Sequence, residues 1–281
     1  MSLKVCEAVS VGELREASAL LEMVWGRTGE GVPVHSEVMK SLVHAGGCVT
    51  VARDGDGRVI GAAVLSPAAP AGAAYSLIAG VAPGMSDRRI GRALKLRQRG
   101  WALEHGFTQM TWTFDPLVAR NARFNLARLG AVAGEYEVAF YGRMSDDLNG
   151  DDESDRLVAR WSLAGGRAAA AAAGTAPDHC DTGPAGNGPD DSGETLRDAP
   201  DDGPLLRRDA AGLWCRVPVD IVALRRADQA QASRWRLAVR DVFRAAFADG
   251  YAATYCTRTG WYLLAPEETR EDRAHPLKLL D

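Results

Sequence analysis

Leu77-Ile-Ala-Gly-Val-Ala-Pro83, then Gly84-Met-Ser-Asp-Arg-Arg89, then Ile90-Gly-Arg-Ala-Leu-Lys95 is the stretch on which the fold turns. The first run reads as a strand and the second as a short loop. The third opens a helix that runs to about His105, just before Gly106. A strand that feeds a helix through a tight loop is an anion-binding device. The first helical turn has backbone N–H groups without intrahelical acceptors, and the macrodipole favours negative charge there. A second strand, Gln109 to Phe114, follows the helix.

Working outward, the elements alternate. Lys4 to Val11 reads as a strand. Gly12 to Arg27 reads as a helix with Leu14, Ala17, Leu20, Leu21 and Val24 on one face, and His35 to His44 as a second helix. Cys48 to Arg53 and Arg58 to Leu65 form a hairpin across Asp54-Gly-Asp-Gly57, whose glycines supply positive φ. Ala74 to Val81 is the strand that enters the loop. Beyond Phe114 come a helix from about Arg120 to Leu129 and strands near Glu135 to Tyr141 and Arg156 to Leu163.

Residues 164–212 break the pattern. They hold the alanine run Ala168 to Ala173 and a stretch dominated by Gly, Pro, Ala and Asp, with large apolar residues nearly absent until Leu205. Such a composition buries too little surface to offset its ordering entropy and reads as a disordered acidic linker. His179-Cys180 lacks a second pair at metal-ligand spacing, so no metal site is expected. After the break, Leu213 to Leu224 reads as a strand and Ala227 to Asp249 as a helix. Ala252 to Thr257 and Gly260 to Ala265 read as a hairpin. This β-α-β-β unit, 213–265 with a tail at 266–281, either packs on the first domain or builds a contact between two copies. Arg236, Arg240 and Arg244 repeat every four residues, either to meet a phosphate or to pair with nearby acids on a solvated face.

The 281-residue length allows one large domain or two modest ones. A net charge of −4 supplies no basic field for nucleic acid, and no apolar run approaches the length of a membrane span. Five scattered cysteines, Cys6, Cys48, Cys180, Cys215 and Cys256, and an N-terminus without a signal-peptide core fit a cytoplasmic protein with reduced thiols.

The order β-α-α-β-β-β-α-β-α-β-β over about residues 1–163 resembles the coenzyme-A-binding core of the GNAT N-acyltransferases, an α/β fold with a mixed sheet flanked by helices. The runs Thr113-Phe-Asp-Pro-Leu117 and Arg120-Asn-Ala-Arg-Phe-Asn125, with Leu129-Gly130, Asp155-Arg156, Trp235-Arg236 and Tyr262-Leu-Leu264, resemble a little-characterised subgroup of that family. The family signature is Gln/Arg-x-x-Gly-x-Gly/Ala. Arg88-x-x-Gly91-x-Ala93 matches it formally. Counting from Val81 and Pro83 without gaps gives Ser86-x-x-Arg89-x-Gly91, which keeps the strand-to-helix distance and sets Leu94 as the first core leucine. In this preferred frame Arg89 stands where the family has its first glycine. Its side chain either pairs with phosphate or fills the loop and weakens binding.

The resemblance implies a thioester held between diverging strands, here those ending at Val81 and Phe114. It implies coenzyme contacts from Val81, Ser86, Arg88, Arg89, Ile90, Gly91, Arg92, Ala93 and Asn121. The family's usual acid, a tyrosine, falls on Leu126; Tyr136 and Tyr141 are the substitutes. Glu22, Asp115 and His35 are the base candidates, and Asp115 has a second reading as a turn cap. The implied activity is acetyl transfer from acetyl-CoA to a small-molecule amine. The alternative is a catalytically degenerate acyl-CoA-binding or interaction module.

Overall fold

The computed structural model describes residues 3–25, 33–85, 88–146, 150–175, 188–189 and 193–267. Its contacts divide it into two units. The first is built from Met1–Trp112 with Ser162–Ala164, the second from Thr113–Trp161 and the described part of Gly165–Ala274.

In the first unit the strands β1 (Lys4–Glu7), β2 (Cys48–Arg53), β3 (Val59–Ala68), β4 (Ala73–Val81) and the part of β5 (Gln109–Phe114) up to Trp112 lie in sequence order. Pairing is antiparallel through β4 and parallel between β4 and β5. The helices α1 (Val11–Trp25) and α2 (Ser36–His44) cover one face, where Leu14, Ala17, Leu21 and Met39 meet Val49, Val51, Ala62 and Val64. Ile90 and Leu94 of α3 (Ile90–Glu104) cover the other, against Ala52, Ile60 and Ala63. The two faces follow from the period-2 alternation of β2 and β3. Helix α1 starts at a reciprocal cap: the Ser10 amide donates to Glu13 (3.0 Å), and the Glu13 amide donates to the Ser10 hydroxyl (3.3 Å). This cap ends the first strand at Glu7, short of the expected Val11.

The second unit opens with α4 (Ala119–Arg123), which continues as a π-helical turn, Phe124–Arg128. Then come β6 (Val132–Glu137), a small hairpin of β7 (Arg143–Asp146) and β8 (Gly150–Glu153), β9 (Arg156–Ser162) and α5 (Gly166–Ala173). After these follow β10 (Glu194–Asp198), β11 (Pro204–Asp209), β12 (Gly212–Arg216), α6 (Ile221–Ala227), α7 (Gln229–Ala248), β13 (Tyr251–Cys256) and β14 (Trp261–Pro266). The sheet order is β9-β6-β13-β14-β12-β11-β10. Ala133 of β6 pairs with Ala253 of β13, so the expected β-α-β-β unit continues the sheet that holds β6 and β9.

The stretch 164–212 differs from the expected linker. Its alanine run is helix α5, with Ala168 and Ala171 buried and Gly174 closing it at φ +72°. Alanine is the strongest helix former, and that propensity outweighs the low complexity. Residues 194–209 form two further strands, and the wholly exposed β10 is held by its pairing with β11. Residues 176–187 and 190–192, with His179 and Cys180, lie outside the described residues. Leu213 to Leu224 is not one strand. The Asp220 carboxylate accepts from the Ala223 amide at 2.9 Å and starts α6 instead.

Candidate functional site

The first unit carries the strand–loop–helix. Strands β4 and β5 pair at Ala73↔Gln109, Ala74↔Met110 and Tyr75↔Thr111, and no further pair is present among the described residues. Ser76 and Trp112 are the first residues past the ladder, where the two strands part. At the far end of β4 the chain turns at Gly84 (φ +76°). Ser86 and its proposed contact lie outside the described residues. Arg89 is the N-cap of α3 at φ +60°, ψ +11°, a left-handed conformation that suits glycine far better than arginine. Its side chain is exposed and does not cap the helix.

The amides of Ile90, Gly91 and Arg92 stand in the first turn of α3, where helix amides point out of the helix end. Arg88, Arg89 and Arg92 gather positive charge at the end of the helix whose dipole already favours anions. The seat of this helix end is tight. A Cβ on Gly61 of β3 would come within 2.9 Å of Ile90 Cγ2 and 3.0 Å of Leu94 Cδ1. Across the sheet, a Cβ on Gly80 of β4 would come within 2.8 Å of the Trp25 ring and 3.2 Å of Leu21. Val81 is half-buried beside it, and Glu22 is exposed on the same turn of α1. His35 is exposed at the N-cap of α2 and donates no cap.

Sequence reasoning missed one cluster here. Lys95 of α3 points inward and is 4% exposed. Its Nζ donates to Ser76 Oγ at 2.7 Å and stands 3.8 Å from the centroid of the Trp112 ring. Ser76 Oγ in turn donates to Gln98 Oε1 at 3.1 Å, while the buried Gln98 Nε2 has no partner. Burial is the cause that pushes the Lys95 amine down to about 7. The available signal was periodicity: Leu94, Gln98, Trp101 and Ala102 mark the buried face of α3, and Lys95 lies on it.

In the second unit the candidates sit apart from one another. Asp115 does not serve as a free base. It is buried, its Oδ2 accepts from Arg225 Nη2 (2.7 Å) and Arg236 Nη2 (3.2 Å), and its Oδ1 accepts from the Leu117 amide (2.9 Å). Burial alone would push its pKa up, but Arg236 and Arg225 outweigh that and hold the carboxyl below its usual range. Asp152 shares the same guanidiniums, at 2.8 Å from Arg236 and 3.4 Å from Arg225. Arg240 binds Asp155 (2.8 Å) and Glu153. Of the three arginines spaced by four, Arg236 and Arg240 therefore meet acids rather than phosphate. Arg236 is deeply buried rather than solvated, and Arg244 is exposed.

Tyr136 donates to Asp155 at 2.7 Å, and burial together with Asp155 pushes its hydroxyl far up. Tyr141 is 52% exposed and stacks edge-on to Phe140. Asn121 is exposed on α4, Asn125 is buried, and Leu126 is wholly buried where the family's tyrosine would fall.

The first unit thus holds a parallel strand pair that parts, followed by a loop into a cation-rich helix start. Among solved structures, the chain is similar to a GNAT-family protein from Desulfovibrio desulfuricans. They share 24% identity, with 58% of this chain and 100% of that one covered and a TM-score of 0.47. It is also similar to a GNAT-superfamily phosphinothricin acetyltransferase from Sinorhizobium meliloti in complex with AcCoA (23%, 57% and 88%, 0.47). A third is the ribosomal-protein-S18-alanine N-acetyltransferase of Escherichia coli (13%, 59% and 97%, 0.48). No family model matches the sequence, and no curated relative does. Likeness at this level says nothing of substrate or catalytic residues. Among the described residues no helix is long and apolar enough to cross a membrane.

Proposed function

We propose that the chain is an acyl-CoA-dependent N-acyltransferase that moves an acetyl group from acetyl-CoA to a small-molecule amine. One observation carries this reading: β4 and β5 part beyond Tyr75↔Thr111, and β4 then feeds α3 through a turn that ends in the left-handed Arg89. The coenzyme polyphosphate fits the amides of Ile90, Gly91 and Arg92 with the surrounding arginines. The thioester arm fits the opening between the strands. In this arrangement the chain orients donor and acceptor, and the acceptor attacks as a neutral amine.

Acetyl-CoA should raise the melting temperature, because a ligand that binds only the folded state stabilises it by mass action. Release of free coenzyme A against a panel of small amines then identifies the acceptor. No shift at millimolar acetyl-CoA refutes the proposal. A second reading, a non-catalytic acyl-CoA-binding module, draws on Asp115 being locked by two arginines and on Leu126 standing in place of the tyrosine. Binding without turnover on any amine supports it.

A further inference from the structure

Lys95, Ser76, Gln98 and Trp112 form a polar cluster in the core of the first unit, at the point where β4 and β5 part. Hydrogen-bond bookkeeping shows what the cluster lacks. The Ser76 hydroxyl gives its proton to Gln98 and accepts from Lys95. Gln98 Nε2 keeps its donors unused, and Lys95 has further hydrogens after its one bond to Ser76. Donors are left over, and no anionic acceptor forms a bond with them among the described residues. Neither Ser76, Gln98 nor Trp112, which face Lys95 from β4, α3 and β5, bears a charge. Among the described residues no carboxylate forms an ion pair with it. Such a cluster suits an anion placed in the opening.

In acyl-CoA chemistry the anion that forms in that opening is the thiolate of coenzyme A. We propose that Lys95 carries the transferred proton to the coenzyme A sulfur. The inference rests on the acyltransferase reading above. The acceptor nitrogen bonds to the thioester carbonyl carbon, and the carbon–sulfur bond breaks with its electron pair on sulfur. The proton shed by the acceptor nitrogen passes to the Lys95 lone pair and from Lys95 to the thiolate. The products are the amide and the free thiol, and Lys95 is neutral again. An amine that titrates near neutrality suits both halves of this transfer. Lys95 would thus stand in for the tyrosine that Leu126 replaces.

The test uses the full chain and coenzyme A itself, with no acceptor needed. Thermal shift first establishes that coenzyme A binds. The thiolate's ultraviolet absorbance is then followed against pH for free and bound coenzyme A. Bound to the parent protein, the thiol should titrate roughly 1–3 units lower than free, as expected beside an opposite charge. In Lys95→Met the binding should remain and that lowering should vanish. Equal thiol titration in both proteins, with binding intact in both, overturns the assignment of Lys95. Absence of coenzyme A binding by the parent overturns the acyltransferase reading itself. Should Lys95→Met fail to fold, nuclear magnetic resonance of ε-carbon-labelled lysine in the parent decides. The Lys95 amine should titrate at higher pH with coenzyme A bound than with an analogue lacking the sulfur. The same response to both compounds refutes the proposal.

Discussion

Replacing Lys95 by methionine should stabilise the protein, and by an amount that falls as pH rises. The amine's ordinary value is 10.5 and its folded value about 7, a gap of 3.5 units. At 1.36 kcal/mol per unit, the folded state carries a penalty of about 5 kcal/mol wherever pH lies below the folded value. For a lysine depressed by burial, the unfolded chain binds the extra proton, so the penalty shrinks as pH climbs from about 7 towards 10.5. Near pH 9 roughly 2 kcal/mol should remain. Methionine fills a similar volume and abolishes the penalty, but gives up the bond to Ser76, worth about 1 kcal/mol at every pH. The stability difference between Lys95→Met and the parent should therefore fall by roughly 2 kcal/mol between pH 7 and pH 9. Urea unfolding of both proteins at the two pH values measures it, and other titrating groups cancel in the difference. Parallel pH profiles would refute the reasoning, because they would mean that Lys95 is charged in the folded state.

Arg236→Leu should cost roughly 3–5 kcal/mol in urea unfolding, because it strips Asp115 and Asp152 of a shared partner inside the second unit. Asp115 is depressed in the folded state, so its contribution is full above the ordinary carboxylate range and is lost as pH falls through the folded value. The variant should therefore also lose less stability than the parent on acidification. Gly61→Val should abolish the melting shift given by acetyl-CoA while far-ultraviolet circular dichroism is kept, since its side chain displaces Ile90 and Leu94 and with them the start of α3. Arg89→Gly should raise stability by about 0.5–1 kcal/mol, the relief of a left-handed residue less the added freedom of the unfolded chain. Arg89→Ala keeps the unfavourable φ and should give no such gain. A smaller acetyl-CoA shift in both variants reports phosphate pairing by Arg89, and a larger one reports obstruction.

The first unit was legible because its periodicities are local. The apolar runs of Cys48 to Arg53 and Arg58 to Leu65, split by the Asp-Gly turn, appear in the sequence as they do in the sheet, where both are almost continuously buried. The start of α3 at Ile90 was legible from the strand–loop–helix pattern, and Arg89 before it takes a left-handed backbone. What escaped was set by contacts distant in sequence. Nothing near Asp115 announces Arg225 and Arg236, which lie 110 and 121 positions away, and without them the carboxylate reads as a base. The edge strand β10 has no buried residue of its own, so no alternation betrays it; its partner β11 holds it in place. The alanine run was misread for a different reason: low complexity and strong helix propensity coincide in the same residues.

The two units bury charge in opposite ways, and the contrast separates structure from chemistry. In the second unit every buried carboxylate of the cluster has a guanidinium at hand: Asp115 and Asp152 share Arg225 and Arg236, and Asp155 holds Arg240. Burial opposes the charge on Arg236 and Arg240, yet their carboxylate partners push both further up, away from any pH at which they would release a proton. A network so paired can fix the ends of strands and helices but cannot move a proton during turnover. Lys95 has no such partner and is left near neutrality, where gaining and losing a proton cost about the same. A methionine there would fold more stably by the margin worked out above. A residue that costs stability, lies buried and titrates at the working pH is hard to account for by packing, and proton transfer at the opening between β4 and β5 gives it a use.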